Sequence, residues 1–192
     1  MKEMIKMVLV LSLFCGLSGL TLSTVRRATS ERIEEQVMTY VQGPALAEIF
    51  HGYDNNPVKD RKTFDLPDGP VTVFPAMKGG KLLGVAFETF GKGFGGPVGI
   101  MVGFNTDGAT LVGIGTTTLK ETPGLGMRLA EPEFRDQFRG HSTQSVALTK
   151  NGGDIAAIAG ATISSTGGVA AVNQAIKIFQ QIKDKIHATW TS

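Results

Sequence analysis

An uncharged apolar run near the N-terminus is the first pattern in the sequence. Residues Met7–Val25 include no charged side chain, and the run lies between Lys6 and the pair Arg26 and Arg27. A helix rises about 1.5 Å per residue, so a run of this length just crosses a hydrocarbon core of roughly 30 Å. A cleaved signal peptide is the alternative, but its apolar part usually covers about 7–15 residues and ends at a small-x-small site. The pattern therefore predicts an uncleaved membrane anchor over residues 1–27, with one transmembrane helix.

The charges beside this run do not settle its orientation. Lys2 and Lys6 precede it, and Arg26, Arg27 and Arg32 follow it. Lys and Arg are enriched on the cytoplasmic side of membranes, and here their count is neutral or slightly favours a cytoplasmic C-terminal domain.

Helices are predicted on both sides of the central part of the chain. Ser30 offers an N-cap for a short juxtamembrane helix through Val37, and Gly43-Pro44 is expected to start another short helix that continues through Ala45–Phe50. Proline near the start of Pro132–Phe138 favours a third helix there. Apolar residues then recur at three- and four-residue spacing, which predicts a final helix that ends near Trp190. These residues are Val169, Val172, Ile176, Phe179, Ile182 and Ile186.

Short runs rich in β-branched and aromatic residues predict strands in the middle of the chain, after a polar, turn-rich stretch over residues 51–70. The strands are Val71–Phe74, Leu82–Phe90, Gly99–Asn105 and Thr110–Leu119, the last two joined as a hairpin at Thr106-Asp107-Gly108. The runs Ser145–Leu148 and Ile155–Ile158 suggest a second hairpin. Strands that pair locally, with helices at the ends, predict an α+β fold on a mainly antiparallel sheet with flanking helices.

Composition narrows the possible chemistry. The net charge of the 192 residues is +2, and Lys and Arg are dispersed, which argues against nucleic-acid binding. One cysteine, Cys15, excludes an internal disulfide and a Cys-based zinc or iron–sulfur site. The histidines His51, His141 and His187 are far apart, and no spacing suggests a metal site. A redox function would therefore need a bound organic cofactor.

A glycine-rich run matches the sequence of the dinucleotide-binding pattern but not the structural context that this pattern needs. Gly91–Gly96 reads G-x-G-x-x-G, but the fingerprint must open a helix, whereas Gly99–Val102 continues as a strand. The run is interpreted as a loop between strands that allows close backbone packing or the approach of a ligand.

The run Glu121–Gly126 contains Pro123-Gly124, which is typical of a type II turn. A plain turn is one interpretation. The many threonines nearby could instead line a polar cofactor ring.

Thr162 follows the small residues of Ala159–Ala161 and opens the predicted final helix. A hydroxyl there lies beside unpaired N–H groups at the positive end of the helix dipole, which suits a phosphate. The alternative is that Thr162, Ser164 or Ser165 caps the helix.

Together, these runs resemble the FMN-binding domain of the G subunit of Rnf complexes and of the C subunit of the sodium-pumping NADH:quinone reductase. That family carries a Glu-Thr-Pro-Gly-Leu-Gly loop, matched by Glu121–Gly126, and a Ser/Thr-Gly-Ala-Thr motif, matched by Ala159–Thr162. The glycine loop, the strand Val98–Asn105 and the run Phe134–Phe138 also resemble family elements. The resemblance covers residues 28–186, and the chain is short like the Rnf subunit.

The resemblance implies that FMN is joined covalently, through its phosphate, to Thr162. It implies cofactor contacts from Glu121, Thr122, Pro123, Gly124, Leu125 and Gly126, and from Gly160, Ala161, Ile163, Ser164 and Ser165. Residues 28–192 would form the FMN-binding domain. No side chain is expected to act as a catalyst toward a substrate.

The same resemblance implies an electron-carrying subunit of a membrane-bound, ion-translocating ferredoxin:NAD oxidoreductase rather than a self-contained enzyme. Its partners would be integral-membrane subunits of the complex and, during maturation, a flavin transferase. The anchor would cross the inner (cytoplasmic) membrane once, with the soluble domain on the extracytoplasmic side.

Two positions depart from the family pattern. Ala159 stands where the family has Ser or Thr, and Ala156 stands where the transferase motif usually has Asp, the nearest acid being Asp154. The acceptor hydroxyl remains, so attachment stays chemically possible, but recognition by the transferase becomes an open question. Two other functions remain open: a cofactor-free adaptor, and an extracytoplasmic flavoprotein of another electron-transfer route.

Overall fold

The structure, a computed structural model, describes residues 1–190. The chain divides into two compact units, Met1–Thr39 and a larger unit that starts at Tyr40. The first unit extends beyond Arg27, where the sequence pattern ends the anchor.

The first unit is built around one long helix, α1 (Lys2–Val37). The separate juxtamembrane helix predicted to start at Ser30 is wrong, because α1 continues through this position. The Ser30 hydroxyl donates to the Arg27 carbonyl at 3.0 Å, so it bonds back within the helix instead of capping a new one. Among the described residues, one helical stretch, Lys2–Ile49, contains a segment long and apolar enough to cross a membrane.

A π-helical turn (Met38–Gln42) precedes α2 (Gly43–Ile49), whose first turn contains Pro44. The short helix predicted to start at Gly43-Pro44 is therefore confirmed, and it ends one residue before the expected Phe50.

Five antiparallel strands form one sheet in the order of the chain. They are β1 (Lys62–Leu66), β2 (Gly69–Lys78), β3 (Lys81–Lys92), β4 (Pro97–Asn105) and β5 (Leu111–Leu119). The expected mainly antiparallel sheet is confirmed. The sequence pattern missed β1, a five-residue edge strand in which only Phe64 and Leu66 are half-buried.

The two faces of the sheet pack against different helices. Val98, Ile100 and Val102 of β4 belong to the main core, which lies under the final helix α4 (Thr162–Trp190). Met101 points to the other face and joins a smaller core with Leu46 of α2. The fold is thus an α+β domain with one helix on each face of its sheet.

The segment between β5 and α4 is mostly irregular. It contains a 3-10 helix (Gly126–Ala130), the short helix α3 (Pro132–Arg135) and a 3-10 turn (Asp136–Phe138), so the helix predicted over Pro132–Phe138 is shorter than expected.

The predicted second hairpin is wrong. Its two runs meet only in a parallel bridge between Leu148 and Ile155, with a 3-10 turn (Thr149–Asn151) between them. The 3-10 turn ends at Gly152, whose φ of +83° lies in the left-handed region that favours glycine.

The start of α4 lies very close to the end of β3. A Cβ on Gly167 would lie only 2.6 Å from the carbonyl oxygen of Lys92, so the helix approaches the strand as closely as glycine permits. One turn later, the Thr89 hydroxyl donates to the Ala171 carbonyl at 2.9 Å. These contacts bring the first turn of α4 to the glycine-rich loop between β3 and β4.

Candidate functional site

A cavity of about 390 Å³ lies beside the first turn of α4. Its volume is within the range of roughly 300–1,000 Å³ that is typical of small-molecule sites. Three segments distant in sequence contribute to its wall: the glycine-rich loop, the loop after β5, and the residues around Thr162. The lining residues are Phe94, Glu121, Thr122, Leu125, Gly126, Gly160, Ala161, Thr162, Ile163 and Ser164.

The buried carboxylate of Glu121 connects these three segments. Its Oε2 accepts a hydrogen bond from the Ser164 hydroxyl at 2.6 Å, and its Oε1 accepts one from the Gly95 amide at 3.1 Å. Hydrogen bonds to a charged group are stronger than neutral ones. Glu121 therefore fixes the loop after β5 to both the glycine-rich loop and the helix.

Close packing around Glu121 depends on glycine. A Cβ on Gly126 would lie 2.5 Å from Glu121 Oε2 and 2.6 Å from Ser164 Oγ, so a larger residue would disrupt this hydrogen bond. Of the two interpretations of the glycine-rich loop, close backbone packing is observed: a Cβ on Gly93 would collide with the Glu121 carboxylate, and one on Gly95 with the Lys120 carbonyl.

Pro123-Gly124 forms a turn, as these two residue types predict. The Leu125 amide donates to the Thr122 carbonyl at 3.1 Å, and Gly124 has φ +73° at the position where a type II turn needs glycine. Pro123 and Gly124 are exposed at the tip of this turn and do not line the cavity. Leu125 does line it, so the turn places one apolar side chain at the cavity.

Thr162 is the first residue of α4 and is exposed to the cavity. The first intrahelical bond runs from the Ser165 amide to the Ala161 carbonyl, which leaves the amides of Thr162, Ile163 and Ser164 without intrahelical acceptors. Within residues 1–190, the Thr162 side-chain hydroxyl has no hydrogen-bond partner. An unengaged hydroxyl thus lies at the positive end of a helix, beside free amides.

The hydroxyl groups of Thr162, Ser164 and Ser165 do not cap the N-terminus of α4. Ser164 donates to Glu121, while Ser165 accepts from the Ile158 amide and donates to the Ala161 carbonyl, both at 3.0 Å. In the described part of the chain, neither serine nor Thr162 bonds to an amide of the first helical turn. Ser165 is fully buried and does not line the cavity, so its role is to hold the segment that leads into the helix.

Three of the exposed residues that line the cavity are large and apolar. Phe94, Leu125 and Ile163 line it with exposed fractions of 73%, 43% and 56%. Phe94 was not among the residues expected at the site from the sequence. Its position between glycines of the glycine-rich loop is the signal that could have identified it. A lining that combines polar groups with exposed apolar side chains suits a ligand that has both a polar part and a flat apolar part.

The two departures from the family motif lie beside the main cavity. Ala156 and Ala159 line a second cavity of about 280 Å³ with charged residues of the α3 region. The Gln137 side chain brackets Ala156: its Oε1 accepts from the Ala156 amide at 2.7 Å, and its Nε2 donates to the Ala156 carbonyl at 3.4 Å. Gln137 therefore fixes the backbone at this position.

Asp154, the nearest acid to the motif, points elsewhere. Its Oδ1 lies 2.7 Å from His141 Nε2, and this hydrogen bond lowers the pKa of Asp154. Burial lowers the pKa of His141, but hydrogen bonds to Asp154 and to the Ser142 carbonyl outweigh it, so the net pKa is raised. Asp154 is thus engaged in a hydrogen bond with His141 and is not among the residues that line the cavity.

Comparison with known proteins identifies the family. Residues 93–177, which include every residue that lines the main cavity, match the model of the FMN-binding domain. The G subunit of an ion-translocating oxidoreductase complex from Methanosarcina acetivorans is 31% identical over 181 residues, which cover 91% of this chain and 94% of that protein. The chain belongs to the family of these G subunits.

Two further proteins extend this family relationship. The G subunit of a proton-translocating ferredoxin:NAD⁺ oxidoreductase complex from Clostridium ljungdahlii is 26% identical over 170 residues, 87% of this chain and 86% of that protein. The crystal structure of the C subunit of the Na⁺-translocating NADH-quinone reductase from Parabacteroides distasonis matches with a TM-score of 0.53 and 25% identity, over 70% of this chain and 71% of that one. The antiparallel sheet with its flanking helices is thus the fold of the FMN-binding domain.

The residues that line the main cavity of this chain fit FMN. The free amides and the Thr162 hydroxyl at the start of α4 suit its phosphate, while Phe94, Leu125 and Ile163 offer apolar surface for its ring system. FMN combines these two chemistries in one molecule.

Proposed function

We propose that this protein is an electron-transfer subunit of a membrane-bound, ion-translocating oxidoreductase, and that it carries FMN in a phosphodiester bond to Thr162. The observation that supports attachment is the position of the Thr162 hydroxyl. It is exposed and unengaged within the described residues, it begins α4, and it lies in the cavity that unites the two family motifs.

The residues around Thr162 have separate tasks in this proposal. The amides of Thr162, Ile163 and Ser164 lie where they can donate to the phosphate, and the helix dipole favours its negative charge. Glu121 and Ser165 hold the surrounding segments in place, because their hydrogen bonds go to protein groups. The bound flavin supplies one- or two-electron transfer, and the protein sets its position and potential.

We extend the proposal to the rest of the molecule. Residues 1–27 would anchor the chain in the inner (cytoplasmic) membrane, and residues 28–192 would form the FMN-binding domain on the extracytoplasmic side. A tethered cofactor suits a compartment where dissociated FMN could not be replaced. The partners would be integral-membrane subunits of the complex and a flavin transferase during maturation.

Covalent attachment at Thr162 predicts a loss of flavin when its hydroxyl is removed. Thr162→Ala should abolish in-gel flavin fluorescence of the denatured full-length protein, expressed together with its flavin transferase. Thr166→Ala is the matched control, since Thr166 is exposed one turn further along α4 and donates to the Thr162 carbonyl at 2.8 Å. The control should fluoresce like the unchanged protein.

The same gel tests the alternatives. Absence of emission from the unchanged protein would contradict flavinylation and favour the cofactor-free adaptor. Emission that survives Thr162→Ala would contradict the attachment site.

A further inference from the structure

Phe94 is an unusually exposed aromatic residue in an unusually constrained turn. Its side chain is 73% exposed, the highest exposed fraction among the apolar residues that line the main cavity. A phenylalanine left in water forgoes the favourable free energy that burial of its ring would give. A contact with something outside the polypeptide would recover part of this free energy.

The turn that carries Phe94 is held in place on both sides. The Gly93 amide donates to the Gly96 carbonyl at 2.9 Å, and the Gly95 amide donates to Glu121 Oε1 at 3.1 Å. Neither Gly93 nor Gly95 has room for a Cβ against its neighbours. The backbone on both sides of Phe94 is thus fixed, on one side by a hydrogen bond within the loop and on the other by a hydrogen bond to Glu121, while Phe94 itself stays exposed.

Phe94 also provides the one aromatic ring in the described lining of the cavity. It lines the cavity together with the exposed apolar residues Leu125 and Ile163. Aromatic rings gain free energy from offset stacking or edge-to-face contact with another aromatic system. A flat heteroaromatic group bound in this cavity could therefore bury the face or edge of Phe94.

We propose that Phe94 is a positioning residue for the flavin: its ring packs against the flavin ring system and shields it from solvent. This inference rests on the proposed function, because it requires FMN in the main cavity. It adds a contact from the glycine-rich loop to those expected from the two motifs.

Substitution of Phe94 by tryptophan tests the contact directly. Tryptophan in van der Waals contact with a flavin quenches its fluorescence, so Phe94→Trp should lower the ratio of native to denatured flavin emission severalfold in detergent-solubilised, full-length protein. Phe90→Trp is the matched control. Phe90 is a half-exposed phenylalanine of the same strand-loop region, but it does not line the cavity, so its substitution should leave the ratio unchanged.

Thermal unfolding provides a second readout that does not depend on fluorescence. Phe94→Ala should lower the Tm of the flavin-loaded protein by about 2–4 °C, as expected for the loss of one aromatic contact of ordinary strength in a protein of this size. In the Thr162→Ala background, which lacks flavin in the proposed function, the same substitution should leave the Tm nearly unchanged because Phe94 is exposed.

The outcomes separate the two proposals. An unchanged emission ratio in Phe94→Trp, or equal Tm shifts from Phe94→Ala in both backgrounds, would overturn the role of Phe94 while Thr162→Ala still removes the flavin. Normal flavin properties combined with reduced co-purification of membrane subunits would also overturn it, since Phe94 would then serve a protein contact. Flavin retained in Thr162→Ala would count against the attachment site instead.

Discussion

The carboxylate of Glu121 is the junction of the three segments that form the site. It lies 7% exposed beneath the cavity and accepts hydrogen bonds from Ser164 and Gly95. A buried donor that loses its acceptor keeps the cost of desolvation without the compensating bond. Glu121 therefore supports the site mainly by holding its walls together.

Removing this carboxylate should destabilise the domain and loosen the site. Glu121→Ala leaves two donors without an acceptor, so we expect the free energy of unfolding to fall by about 2–4 kcal/mol. Ser164→Ala should lower the free energy of unfolding less when Glu121 is already alanine than it does alone. A double-mutant cycle measured by chemical denaturation tests this difference. Glu133→Ala, at an exposed acid that pairs with Arg128, is the control and should change stability by less than about 0.5 kcal/mol. Additive effects of the two substitutions would contradict the hydrogen bond.

Individual residues of the site were predictable to different degrees. Thr162 was predicted from the resemblance of Ala159–Thr162 to the family motif, because the local pattern alone equally allowed a helix cap, and Thr162 lines the cavity. The hydrogen-bond partners of Ser164 and Ser165 could not be predicted from the sequence, because only the tertiary fold brings these partners near the two serines. Phe94 was missed for the same reason: its exposure follows from how the glycine turn packs on Glu121.

At the scale of elements, the crossing of α4 over the end of β3 sets the shape of the site. Gly167 of the helix lies against the backbone of Gly91 and Lys92, and this contact holds the first turn of α4 beside the glycine-rich loop. The next residue, Gly168, has ordinary space, with the nearest atoms of Leu129 and Phe134 at 3.4 Å. Of these two adjacent glycines, only Gly167 is thus required by the packing to be glycine.

This difference predicts opposite effects of the same substitution. Gly167→Ala should lower the free energy of unfolding by about 1–3 kcal/mol, because the added methyl group overpacks the crossing and pushes the helix from the strand. Gly168→Ala should be neutral or stabilising by up to about 1 kcal/mol, because alanine is the better helix former and fits the space. Denaturant unfolding of both variants measures this. Equal effects would contradict the close crossing.

Regular elements with strong patterns followed from the sequence, and irregular ones did not. The apolar spacing of α4 and the β-branched runs of β4 and β5 are local signals, and the structure has these elements near the expected bounds. β1 was missed because it is a polar edge strand that exists through pairing with β2. The second hairpin was wrongly predicted, since nothing in two short runs specifies whether they meet parallel or antiparallel.

At the scale of the whole molecule, the chain combines a potential membrane span with an FMN-binding domain. The span lies within Lys2–Ile49, and the domain fold follows from residue 40 onward. Lys and Arg counts near the span do not settle which side the domain faces, but a domain of this length can cross a membrane largely regardless of a small charge excess. A tethered flavin is most useful where free FMN is scarce.

We therefore predict an extracytoplasmic domain. Alkaline phosphatase fused after the last residue should be active, and a fluorescent reporter that matures only in the cytoplasm should be dark. As a control, each reporter should also be fused to a chain that lacks residues 1–27. This chain should stay in the cytoplasm, so its alkaline phosphatase should be inactive and its fluorescent reporter should be bright. The reversed pair of signals in the full-length fusions would contradict the orientation and remove the stated reason for covalent attachment.

The most direct test of covalent attachment is to locate the flavin on the chain. Proteolysis of the full-length protein, expressed with its transferase, and fragmentation mass spectrometry of the flavin-labelled peptide would assign the adduct to one residue. We predict an FMN phosphodiester on Thr162, the exposed hydroxyl at the start of α4. An adduct on Ser164 or Thr166, or a peptide that contains Thr162 without flavin, would contradict this prediction.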